Sequence, residues 1–396
     1  MSKLPIKLIN DSITESDIEK LIDWLRTFPK LTKGELTVEL EKKFANWIGT
    51  KFSLFVNSGS SANLLMFYCL IVLNKLKNKK IVVPGLSWVT DLSPVIQFNL
   101  EPILVDCNLE NLSVDINHLE EIFRTENPSC LILVSVLGLS PDMDRILDLC
   151  EKYNVILLED NCESQGTKYK NIKLGNFGVM SSFSTYYGHT MSTIEGGFIT
   201  TNDLEIYKTL LMLRSHGWNR DLDVYEINKL NSDWNIDEFN SLYTFFEPGF
   251  NLRSTDLQAF LGLGQIEKVD TFIKKRNDNF HRFKKLLTSD IWFPKEIDQS
   301  YTSSFCIPII TKSIELKKSL VKKLRDNQIE CRPLISGSMG SQPFYKKRYG
   351  ENKLKNCQIV DSRGIYIPNH PDLNNLDIDL ICEIILENEK SINNGH

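Results

Sequence analysis

No stretch of this 396-residue chain is apolar for long enough to cross a bilayer. The longest apolar run, Cys130 to Leu139, is about half of the roughly 20 residues a spanning helix needs. The N-terminus, MSKLPIKLINDS, lacks a continuous apolar segment, so no secretory signal is expected. The nine cysteines are scattered, none closer than Cys150 and Cys162, which leaves no zinc knuckle, no C-x-x-C pair and no iron–sulfur set. Reduced thiols in a cytoplasmic, metal-free protein are the simple expectation. Excess positive charge is missing too: a net charge of -5 argues against nucleic acid or an anionic membrane as partner. Repeats and low-complexity tracts are also absent.

What remains is a chain long enough to bury a large core in two domains. Residues 12–30 read as an amphipathic helix with Ser12 and Glu15 as a capping box, and Leu36 to Ile48 as a second helix. Near-continuous apolar runs follow at 52–56, 80–84, 101–107, 130–137 and 155–160. Helical patterns at 115–125 and 142–153 alternate with them, the signature of a mostly parallel, buried sheet. Ligands bind such sheets beyond the carboxyl ends of the strands, where Asp106, Asp160 and the loop 57–62 fall. From about Asp256 the order becomes helix, strand, helix, strand, helix, an α+β second domain. The boundaries are set at 1–250 and 251–396. Residues 219–248, polar and aromatic without a period, read as a long functional loop.

Three stretches carry possible chemistry. Asn57-Ser58-Gly59-Ser60-Ser61-Ala62-Asn63 lies between a strand and an apolar helix expected from Leu64. That layout aims free N–H groups and a positive helix end at an anion, although serine and asparagine there also make an ordinary cap. Asp160 closes the strand VILLED and is either a helix cap or a buried partner for a cation. The stretch Gly178 to Asp203 is a strand, a Ser/Thr-rich turn with one imidazole at His189, and a second strand after Glu195-Gly196-Gly197. A lone histidine in apolar surroundings is more often core than catalyst; its place relative to the other stretches changes that.

Six segments in register, VNSGSSANLL, VPGLSWVTD, LLEDNCESQGTKY, GNFGVMSSFS, the Glu-Gly-Gly turn and GFNLRSTDLQAFLGLGQ, resemble the sugar aminotransferase family of fold-type I pyridoxal-phosphate enzymes. The resemblance runs from about Leu31 to Tyr345. It implies an α/β large domain with a mostly parallel seven-stranded sheet and a smaller α+β C-terminal domain. It also implies roles for particular residues. Gly59 and Ser60 cradle the cofactor phosphate, with a hydroxyl from Ser184. Asp160 pairs with the pyridine nitrogen, Glu163 lies near the cofactor's 3′-oxygen, and Trp88 stacks on the ring. Asn251 reaches the phosphate of a neighbouring subunit, which makes the protein a homodimer with shared sites.

One departure from the pattern decides the chemistry. Where the aminotransferases carry lysine, six residues before the acidic residue of the Glu-Gly-Gly turn, this chain has His189, and no lysine occurs between Lys173 and Lys208. Imidazole cannot bond covalently to the cofactor aldehyde, yet it is a suitable general base near neutral pH. The substitution resembles the dehydratase branch, the nucleotide-linked 4-keto-6-deoxyhexose 3-dehydratases, of the cluster-free, glutamate-dependent type. This implies non-covalent pyridoxal or pyridoxamine phosphate, L-glutamate as cosubstrate, and a GDP- or CDP-linked keto sugar that loses its 3-hydroxyl. His216 is read as a substrate contact, with loop structure as the alternative, and Arg332 as the partner of the glutamate carboxylate, with a surface arginine on a strand end as the alternative. The C-terminal pattern departs at Ser338, where those enzymes usually have asparagine. Two other readings are an aminotransferase working from non-covalent pyridoxamine phosphate and a non-catalytic scaffold. Keeping Asp160, Ser184, Trp88 and Asn251 counts against the scaffold, which needs no electron sink.

Overall fold

The computed structural model of the protein describes residues 5–288 and 291–393. The strands of the main sheet are short and almost wholly buried, as their apolar runs require. They are β1 (Phe52–Val56), β2 (Lys80–Pro84), β3 (Glu101–Val105), β4 (Cys130–Val134), β5 (Ile156–Asp160), β6 (Met180–Ser184) and β7 (Gly197–Thr201), in the spatial order β1-β7-β6-β5-β4-β2-β3. The five strands from β6 to β3 run parallel; β7 is antiparallel to both β1 and β6. A mostly parallel, seven-stranded α/β sheet is therefore the frame, as the sequence implied.

Helices cover both faces. Among them are α1 (Glu15–Leu25), α2 (Glu35–Ile48), α3 (Gly59–Val72), α4 (Val89–Gln97), α5 (Ile116–Glu126), α6 (Met143–Tyr153) and α7 (Leu204–Arg214). Three expectations shift here. The cap of α1 is Thr14, which exchanges hydrogen bonds with Asp17, and not Ser12 with Glu15. Ser12 is engaged elsewhere, donating to Gln265 at 2.6 Å. Helix α3 begins at Gly59 rather than Leu64, because Ser58 caps it by accepting from the N–H of Ser61 at 3.0 Å. The segment 219–248 is not a bare loop: Asp223 caps a helix over Val224–Asp233, and Asp237 caps a turn over Glu238–Ser241.

A three-stranded antiparallel sheet, β8 (Ile307–Ile310), β9 (Arg332–Pro333) and β10 (Gly364–Ile367), builds the C-terminal half with helices Ile314–Asp326 and Asn375–Asn393. The halves are joined through single carboxylates. Asp106, at the end of β3, accepts from the N–H groups of Asn356 and Cys357 at 2.9 Å each, and so holds the start of helix Lys355–Arg363. It does not face the ligand cavity. Asp256 accepts from Gly34, Leu36 and Thr37 and serves as an N-terminal anchor for α2 from 220 residues away. One apolar cluster runs through both halves, from Leu54 and Leu65 to Ile307 and Leu320.

Candidate active site

The carboxyl ends of β1, β4, β5 and β6 open into a cavity of about 370 Å³. Its walls take Ser58, Gly59 and Ser60 from the start of α3, and Trp88 and Asp91 from the start of α4. Asp160, Cys162 and Glu163 come from the end of β5; Ser184, Tyr186 and His189 follow β6; Phe305, Ile335 and Tyr366 come from the C-terminal half. Seven residues singled out in the sequence thus meet in one place: Gly59, Ser60, Trp88, Asp160, Glu163, Ser184 and His189. Among the described lining residues none is lysine or arginine, while four are acidic.

At one end, α3 points its first N–H groups, which have no intrahelical acceptors, at the cavity. Gly59 is required by close approach: a Cβ there would lie 2.8 Å from both the Cβ of Ser184 and the Sγ of Cys162. Gly197 is required likewise, since a Cβ would come within 2.6 Å of backbone atoms of Ser58 and Gly59. Backbone amides, serine hydroxyls and a helix N-terminus make an anion cradle. In a cavity whose described lining has no lysine or arginine, it is the part that fits a phosphate.

At the opposite side Asp160, 5% exposed, is held at both oxygens. Cys162 N–H donates to Oδ1 at 2.9 Å and Asn63 Nδ2 to Oδ2 at 2.6 Å. A fixed buried carboxylate suits a protonated ring nitrogen. Trp88, 54% exposed, offers an indole at the rim. Glu163 accepts from the N–H of Leu137 at 2.8 Å, and burial raises its pKa to about 7, with the neighbouring Asp160 adding to the effect. The residues present therefore fit pyridoxal phosphate, from its phosphate end to its ring nitrogen.

His189 follows from a tight turn. Its N–H donates to the carbonyl of Tyr186 at 2.9 Å, and buried Gln165 bridges the turn, donating to Ser184 O at 2.8 Å and accepting from Met191 N–H at 3.3 Å. The half-buried imidazole has Nδ1 buried without a partner and lies against Phe305, ring centres 5.1 Å apart. Burial lowers its pKa to about 4, opposed by Asp160 and aided by the Arg276 guanidinium. Arg276 is itself buried and has no carboxylate partner among the described residues; its Nη1 donates to the carbonyls of Phe305 and Asn369 at 2.7 Å each. Backbone strain gathers nearby: Leu137, Ile194 and Ile335 all adopt positive φ, at 51°, 69° and 49°, unusual for such side chains.

The remaining three expected residues lie outside the cavity lining. Asn251 is exposed, paired to Ser215 in a short bridge. His216, at φ 62°, stacks edge-on against Trp218. Arg332 is exposed on β9, in register with cavity-lining Tyr366, and lines a separate surface hollow. Ser338 is buried, 1% exposed, and is not in the lining. Asn63, Asp91, Phe305 and Tyr366 had no role in the sequence reading. A polar Asn63 inside the apolar run ANLLMFYCL was the available signal for one of them; nothing local marked the two aromatic residues.

A model of the DegT/DnrJ/EryC1/StrS aminotransferase family matches residues 11–386. The GDP-4-keto-6-deoxy-D-mannose 3-dehydratase of Escherichia coli is 33% identical over 383 residues, 94% of this chain and 98% of that protein. A solved structure of the E. coli enzyme with bound hydrated pyridoxal phosphate superposes with a TM-score of 0.89 at 32% identity, covering 97% of this chain and all of that one. A substituted form of GDP-4-keto-6-deoxymannose-3-dehydratase with GDP-perosamine bound superposes at 0.88, also 32% identical, over 96% and 100% of the two chains.

Proposed function

The chain belongs to the DegT/DnrJ/EryC1/StrS aminotransferase family, and we propose that its substrate is a GDP-linked 4-keto-6-deoxyhexose of the mannose series, carried by the likeness to relatives named for that sugar. It is a pyridoxal-phosphate-dependent, glutamate-dependent nucleotide-sugar 3-dehydratase. The observation that carries the chemistry is His189 in the wall of a cavity whose described lining offers no lysine.

Bound as pyridoxamine phosphate, the cofactor supplies an amine for the sugar's keto carbon and a ring that accepts an electron pair. The chain's own residues divide the rest. Gly59, Ser60 and Ser184 bind the phosphate; Asp160 keeps the ring nitrogen protonated; Glu163 meets the 3′-oxygen; Trp88 covers a ring face. His189, neutral because it is buried, takes the proton from the cofactor's C4′ carbon. A planar imidazole held by the Gln165-braced turn has little reach, so returning that proton to the sugar competes poorly with loss of the 3-hydroxyl. His216 and Arg332 serve the sugar and the glutamate carboxylate from outside the lining; for Arg332 this needs its side chain to turn inward beside Tyr366.

The lack of lysine and arginine among the described lining residues supports a homodimer in which Asn251 of one protomer adds a donor to the phosphate of the other. We also keep the division at 250/251 as a proposal, to be read by limited proteolysis. No helix among the described residues is long and apolar enough to cross a membrane; the cytoplasmic placement stays a proposal of its own.

The test is product identity. The purified protein, pyridoxal phosphate, glutamate and the GDP-linked or CDP-linked 4-keto-6-deoxyhexose should yield a keto sugar one oxygen lighter, with ammonia. Both courses turn glutamate into 2-oxoglutarate, so the sugar decides: an amino sugar that keeps its 3-hydroxyl, without free ammonia, would overturn dehydration in favour of transamination. Turnover of the CDP sugar alone would overturn the choice of GDP.

A further inference from the structure

The ring-nitrogen carboxylate is not alone. Asp91, in the first turn of α4, also lines the cavity and is fully buried. Its Oδ2 accepts from the N–H of Trp88 at 3.2 Å, and its Oδ1 accepts at 3.2 Å from the Asn63 Nδ2 that also donates to Asp160 at 2.6 Å. One amide nitrogen therefore joins two carboxyls whose oxygens are at most about 6 Å apart, where each charge would suppress ionisation of the other roughly a hundredfold at an effective dielectric near 20. The titratable groups that face Asp91 are Asp160, Cys162 and Glu163, with His189 beyond Asp160; no described cation lines the space. Asn63 is completely buried, and its Oδ1 has no partner.

We propose that Asp91, Asn63 and Asp160 act as one unit, in which Asp91 remains a neutral carboxylic acid that donates to Asp160, so that a single negative charge meets the cofactor's ring nitrogen. This rests on the assignment of Asp160 to that nitrogen. Geometry supports it at two points. Asp160 already accepts from two N–H groups, and the O–H of Asp91 as a third donor fixes which of its lone pairs is left for the ring. The Trp88 N–H held by Asp91 also ties the indole at the ring face to the carboxyl pair at the ring nitrogen. Burial and the nearby Asp160 both push the Asp91 pKa well up, which agrees with the neutral form. Asp91 is a positioning residue, acting on the ring through Asp160.

The test begins on the cofactor-free protein, so its outcome does not depend on the dehydratase reading. Infrared difference spectra at neutral pH between the wild type and Asp91→Asn should lose the carbonyl stretch of a protonated carboxylic acid. Asp91→Ser, which keeps an acceptor for the Trp88 N–H, should lose the same band and serves if the first variant folds poorly. Titration with pyridoxal phosphate, followed by absorbance, then separates donor from charge. Asp91→Ser should weaken binding about tenfold, the scale of one hydrogen bond to a charged group, and Asp91→Asn, which keeps an N–H donor, by less. No band lost in either variant, or Asn weakening the cofactor more than Ser, would overturn the proposal and make Asp91 a second anion.

Discussion

The general-base role proposed for His189 rests on a single side chain. His189→Ala should cut dehydration by roughly a hundredfold or more, the usual worth of a positioned general base, while pyridoxal phosphate absorbance still titrates with near-native affinity. The acid limb is a second check. The imidazole must be neutral to accept a proton, and its pKa is lowered to about 4 by burial. The limb of kcat/KM assigned to His189 should therefore lie well below the 6.5 of a free imidazole. Glu163 shows the opposite sign. Its pKa, raised to about 7 by burial, favours the neutral form. The stability it contributes is full below the unfolded carboxyl value and is lost as pH rises through about 7. Glu163→Gln should then stabilise the cofactor-free protein above pH 7 by roughly 1–3 kcal/mol relative to wild type in denaturant titrations.

Elements matter here chiefly by where they begin and end. The functional groups sit in the first turns of α3 and α4 and just past the ends of β5 and β6, so small shifts in those termini move the whole site. Ser58 was legible as part of a polar loop. That it caps a helix starting at Gly59, five residues before the expected start at Leu64, was not, because glycine and serine hide a helical first turn from any hydrophobic period. Likewise α1 starts from Thr14, since Ser12 is drawn to Gln265, 253 residues away. Gly59→Ala tests the tight packing of α3 against β6: a methyl 2.8 Å from Ser184 and Cys162 must displace one of them. The expected result is a cofactor affinity lower by tenfold or more on titration, with a stability loss of about 1–3 kcal/mol. Asp256→Ala removes the acceptor for three N–H groups of the start of α2 and should cost about 1–3 kcal/mol of unfolding free energy in urea.

On the scale of the whole molecule, the open question is how many chains make one site. The exposed position of Asn251 and an acidic cavity that must take a phosphate both support sharing between protomers. If so, mixing inactive His189→Ala with inactive Asn251→Ala protein under exchange should restore roughly a quarter of the wild-type activity, since half the dimers are mixed and each carries one intact site. Recovery of none would place Asn251 in its own chain's site, and an Asn251→Ala protein that is active by itself would place it in no site. The aromatic residues Tyr225, Trp234, Phe239 and Tyr243, each more than 70% exposed, lie in the segment 219–248 that sequence alone read as a loop.

Local pattern in the chain sets the frame, and the resemblance of its motifs to a known family supplies the proposed chemistry. Short runs such as VILLED and CLILV read as buried strands, and their alternation with helical patterns points to a parallel sheet with its site at the carboxyl ends. The resemblance of the motifs, taken in order, brought Gly59, Trp88, Asp160, Ser184 and His189 together in advance, whereas periodicity alone placed only Asp106, Asp160 and the loop 57–62 at strand ends. Only tertiary structure decided the rest. Asp106 and Asp160 look alike in sequence, each closing an apolar strand, yet one caps a helix of the other half and the other faces the cavity. Asp91 and Asn63, 28 residues apart, became partners of Asp160 only when α3 and α4 packed beside β5. Phe305 reached His189 from the far half of the chain. Local periodicity records which face of an element is buried; it carries no record of which distant side chain completes a buried hydrogen bond.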